Sequence, residues 1–65
     1  MSRFTVKILN CEFIGVFVGE LPKENESIVI GDYCYLVKSI AYSYSKKDGE
    51  VYVMDGIIVF VEQEI

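Results

Sequence analysis

The stretch Ser27-Ile-Val-Ile-Gly-Asp-Tyr-Cys-Tyr-Leu-Val-Lys-Ser-Ile-Ala-Tyr-Ser-Tyr44 decides the fold. Gly31-Asp32 is a two-residue hairpin signal, because glycine supplies the positive φ that a type II′ turn needs at its first central position. It joins a strand near 27–30 to one starting at Tyr33. Folding there puts Ile28, Ile30, Tyr33, Tyr35 and Val37 on one side, and Val29, Cys34 and Leu36 on the other. The second of these strands then changes phase: Tyr35 and Val37 are odd positions, whereas Ile40, Tyr42 and Tyr44 are even. A shift of one residue exchanges the two faces of a strand. A β-bulge near Lys38-Ser39 restores the apolar set to one face and bends the strand.

The rest of the chain extends this pattern. Phe4, Val6 and Ile8 alternate with Arg3, Thr5 and Lys7, as in a half-buried strand. A turn at Asn10-Cys11 pairs Ile8 with Phe13, Val6 with Gly15 and Phe4 with Phe17. Lys46-Lys-Asp-Gly49 is a second tight turn. Read as a four-residue loop, it pairs Tyr44 with Val51 and Tyr42 with Val53. Ile40, Tyr42, Tyr44, Val51 and Val53 then face inward, and Ser39, Ala41, Ser43, Ser45, Glu50, Tyr52 and Met54 outward. A three-residue loop pairs Tyr44 with Tyr52 instead; the first register separates the serines from the core. Asp55-Gly56 is either a third turn, giving six strands, or a bulge in one strand from 50 to 62, giving five. The lone Pro22 lies in the longest loop, 19–26. Val, Ile, Thr, Phe and Tyr dominate, and no window carries a helical stripe of useful length. The expectation is one all-β domain over residues 1–65. It is a small antiparallel barrel or curled sheet of five strands, or six, with little or no helix.

Glu20-Leu21-Pro22, Glu26, Ile28, Ile30, Tyr35, Val37, Ile40 and Tyr42 form a series that resembles short uncharacterised bacterial and prophage proteins with Src-homology-3-like (SH3-like) small barrels. The resemblance covers residues 13–44 and implies a fold, not an activity. Asn25 stands where that pattern usually has glycine. No functional residue is carried over.

Composition narrows the function. The 65 residues carry a net charge of −4 and no histidine. Arg3, Lys7, Lys23, Lys38, Lys46 and Lys47 are dispersed apart from the last two, which disfavours phosphate binding. Without histidine, neither a serine nor a cysteine has the usual base to activate it. Glu20, Glu24, Glu26, Glu62 and Glu64 read as solvated charge. Cys11 and Cys34 cannot complete a four-ligand zinc site and read as small reduced hydrophobes. No apolar run approaches the roughly 20 residues of a membrane helix, and no secretion leader opens the chain, so a cytoplasmic location is expected. No enzyme activity, cofactor, metal or small-molecule substrate is expected.

The apolar residues outnumber the places in one small core. Phe4, Val6, Ile8, Phe13, Phe17, Ile28, Ile30, Tyr35, Val37, Ile40, Tyr42, Tyr44, Val51 and Val53 fill it. Ile14, Val16, Val18, Val29, Cys34, Leu36 and half of 57–61 are left on the reverse. Soluble monomers rarely leave such a patch open beyond a few hundred Å². The expected function is therefore a non-catalytic protein-interaction module, a homodimer or assembly subunit. Its partner-binding surface is Ile14, Val16, Val18, Val29 and Leu36. A second contact patch comprises Tyr52, Met54, Glu20, Glu24 and Glu26. The alternative is a phage-type acidic inhibitor that occludes a host enzyme or nucleic-acid-binding protein. A nucleic-acid-binding barrel comes third.

Overall fold

A computed structural model describes residues 1–10 and 12–64. Five strands follow in order: β1 (Ser2–Ile8), β2 (Phe13–Gly19), β3 (Ser27–Ile30), β4 (Tyr33–Asp48) and β5 (Val51–Gln63). They form one sheet in the order β2-β1-β5-β4-β3, curled into half a barrel. The curled all-β architecture and the count of five agree with the sequence reading. One pairing differs: β1 and β5 run parallel, with Val6 beside Val59 and Ile8 beside Val61. Local alternation specifies which face a residue occupies but carries no information on which distant strand lies alongside.

Glycine chemistry sets both tight hairpins. Ile30 pairs with Tyr33 across Gly31-Asp32, and Gly31 has φ +61°. Asp48 pairs with Val51 across Gly49-Glu50, and Gly49 has φ +56°. In each, glycine takes the first central position, where a type II′ turn demands positive φ. The β2–β3 loop uses asparagine for the same purpose. Asn25 has φ +70°, so it fills the role of the glycine expected there. Around it the Glu26 amide donates to the Lys23 carbonyl at 3.2 Å, and the Lys23 amide to Glu26 Oε1 at 2.7 Å. The loop is then tied to β4: the Asn25 amide donates to Val37 O and the Val37 amide to Glu26 O, both at 2.8 Å. A β-branched residue tolerates this backbone poorly. Asn25→Val is expected to lower stability by about 1–2 kcal/mol, while Asn25→Gly leaves the urea midpoint unchanged or higher.

Four extra residues interrupt the ladders: Ile14 in β2, Lys38 and Lys47 in β4, and Asp55 in β5. The bulge at Lys38 agrees with the sequence reading, and that at Asp55 is one of its two alternatives. The bulge at Ile14, and the Gly49-Glu50 turn with the Lys47 bulge beside it, overturn two registers. Phe4 still pairs with Phe17 and Val6 with Gly15, but Phe13 pairs with Lys7 rather than Ile8. Phe13 therefore turns outward and is exposed, whereas Ile14 packs against the core. Beyond Tyr42, Tyr44 pairs with Met54 and Ser45 with Val53, not Tyr44 with Val51 or Tyr42 with Val53.

The core is small. Phe4, Val6, Tyr35, Val37, Val59 and Val61 are buried on the concave face. Ile8, Ile14, Phe17, Leu21, Ile28, Ile30, Ile40 and Ile57 pack around them. The Phe4 and Phe17 rings stack at 6.1 Å with an interplanar angle of 14°. Alternation through Ile57, Val59 and Val61 fills the concave face from the middle of the sheet, leaving Ile58 and Phe60 on the convex side.

Candidate interaction surface

β4 and β5 are much longer than their neighbours. β1 reaches β5 only from Ile58 onward, and β3 reaches β4 only up to Leu36. The remaining length of β4 and β5, from Tyr42 to Ile57, pairs only with itself. It projects as a two-stranded arm and stretches the molecule to 46 × 26 × 19 Å. Tyr42, Tyr44, Val51, Tyr52, Val53 and Met54 all lie on this arm, and all are exposed. Val51 and Val53 are thus not core residues. The four-residue loop register that places them inside does not form, and the arm extends beyond any layer that could cover them.

The Asp55 bulge also exchanges the faces of the arm. Tyr44, Met54, Tyr52 and Lys46 continue the concave face outward from Ile57 and Tyr42. Val53 and Ser45 share the convex side with Ser43. Tyr52 and Met54 therefore lie opposite the serines, not among them. Asp55 fixes this crossover. Ser45 Oγ donates to Asp55 Oδ2. Hydrogen bonds from Ser45, then Ser43, hold the Asp55 carboxyl below its usual value despite a small opposing effect of burial. A depressed carboxylate stabilises the fold above its unfolded pKa, and the benefit is lost as pH falls through the folded value. The stability difference between wild type and Asp55→Asn is expected to be present at neutral pH and to vanish on acidification below the carboxylate range, read from paired urea titrations.

The convex side of the body reads in rows across the sheet. Val16, Thr5, Ile58 and Ala41 form one, and Phe13, Lys7, Phe60 and Ser39 the next. Towards β3 come Glu62, Leu36 and Ser27, then Cys34 and Val29. The five residues expected to form one patch are thus divided. Val16 and Val18 lie exposed on the β2 edge. Val29 is exposed on the β3 edge, four strand spacings or about 19 Å away along the curved sheet. Leu36 is half-buried between them beside Glu62, and Ile14 belongs to the core side. Sequence reasoning missed Phe13, since nothing local announced the bulge beside it.

No family model, curated protein or solved structure matches this chain. The acidic residues are also dispersed. Glu20, Glu24 and Glu26 lie in the β2–β3 loop, whereas Tyr52 and Met54 lie on β5, and the Glu26 carboxylate is engaged within its own loop. Cys34 is an exposed free thiol, whereas Cys11 lies outside the described residues. Among the described residues no helix is long and apolar enough to cross a membrane.

Proposed function

We propose that this chain is a non-catalytic protein-interaction module that self-associates by burying apolar β surface left open on one copy. The carrying observation is its surplus of surface. It exposes 4883 Å², about 700 Å² more than the roughly 4,200 Å² of a compact monomer of this mass. Valine, tyrosine, phenylalanine and methionine side chains are among those exposed. A domain with six buried residues among those described gains from association what its own core does not supply. The exposed Cys34 thiol suits a reducing cytoplasm, where it stays unpaired.

Light scattering over a dilution series, at low and high salt, tests the reading. A dimer that persists at both salts is expected, because apolar burial is not screened as ion pairs are. A monomer at every concentration overturns it, and a complex that dissolves in salt points to an electrostatic contact instead.

A further inference from the structure

The self-association reading leaves open which surface makes the contact, and the arm answers it. A sheet edge offers unpaired N–H and C=O groups to any extended chain, and proteins protect such edges with lysine, proline or cover. The two edges of the arm differ in this respect. The β4 edge carries Lys46 and Lys47, and the body behind it carries Lys38. The β5 edge reads Val51-Tyr-Val-Met54, with no charge and no proline, before the Asp55 bulge. β1 does not cover it, since their pairing begins only at Ile58. Where the two strands part, a notch of about 410 Å³ opens, lined by Arg3, Thr5 and Val16 from the body and by Asp55 and Ile57 from the arm.

We propose that the arms of two copies pair edge to edge through β5, antiparallel, about a two-fold axis at Val53. A two-fold axis through an antiparallel pair must place one residue opposite itself. Val53 at that position sets Tyr52 against Met54 of the partner subunit, a favourable sulfur–aromatic contact. Neighbouring centres give up this match. A second copy at this edge covers exposed apolar side chains of the arm, Val51, Tyr52, Val53 and Met54. The result is a four-stranded sheet, β4-β5-β5-β4, spanning both copies, with the two Tyr44–Met54–Tyr52 strips side by side.

Disulfide trapping tests this proposal, which rests on the self-association reading. In a Cys11→Ser/Cys34→Ser background, single variants Val53→Cys, Val51→Cys and Val16→Cys are oxidised while mass is followed by light scattering and folding by circular dichroism. Residues opposite themselves in an antiparallel pair have Cα atoms within disulfide range. Val53→Cys is therefore expected to crosslink roughly tenfold faster than either control. A dimer that crosslinks fastest at Val16→Cys, or shows no preference for Val53→Cys, overturns the arm pairing and leaves self-association standing. A folded monomer throughout the dilution series overturns both.

Discussion

Replacing Phe4 by alanine is expected to remove about 3–5 kcal/mol of stability. Phe4 is one of six buried residues among those described, and its ring stacks on Phe17 of the neighbouring strand. It also sits on β1, the strand through which β2 reaches the rest of the sheet. Small domains have total stabilities near the lower end of about 5–15 kcal/mol, so this one substitution approaches the whole. Urea titration followed by circular dichroism should show the midpoint falling close to zero, with a measurable unfolded fraction in plain buffer. A loss below about 1 kcal/mol would mean that the β1–β2 hairpin frays independently and is not part of the cooperative unit.

A matched pair of substitutions on β5 should give opposite results. Val59 has no exposed surface, and its neighbours across the sheet are Val6 and Ile40. Val59→Asp puts a carboxylate among apolar side chains with no cation to meet it, which costs several kcal/mol. The protein is expected not to fold at neutral pH. Val53 stands six residues earlier on the same strand and is 43% exposed. Val53→Asp should leave monomer stability within about 1 kcal/mol of wild type, while changing the mass in solution if the arms pair. Chemical-shift dispersion separates the two outcomes in a single spectrum each. Unfolding by both variants would show that the arm is integral to the core and that its apolar side chains are not surface at all.

The elements legible in the sequence were those whose signal is local. Gly31 ahead of Asp32 fixed the β3–β4 register, and the change of phase between Val37 and Ile40 located the Lys38 bulge. At Asp55-Gly56 the sequence allows either a turn or a bulge, and the structure has the bulge. The hairpin at 46–51 was misread because Gly49 was placed at the end of the turn. It stands at the beginning, and the extra Lys47 shifts the pairing once more. The parallel β1–β5 pairing was not legible, since it joins residues more than fifty positions apart with no local mark. Nor was the arm. Its alternation of apolar residues is that of a core strand, and only the shortness of β1 and β3 leaves it uncovered.

The place of β5 in the sheet has a consequence for how the chain matures. β5 is the last strand in sequence, yet it lies in the middle, between β1 and β4. Before it arrives, β1 pairs only with β2 and β4 only with β3. A nascent chain that has emerged only as far as β4 would therefore hold two detached hairpins, each marginal in water. Val6 and Val37, fully buried in the finished molecule, would both be wet. The domain should thus acquire protease resistance in one late step on release of β5, not progressively during elongation.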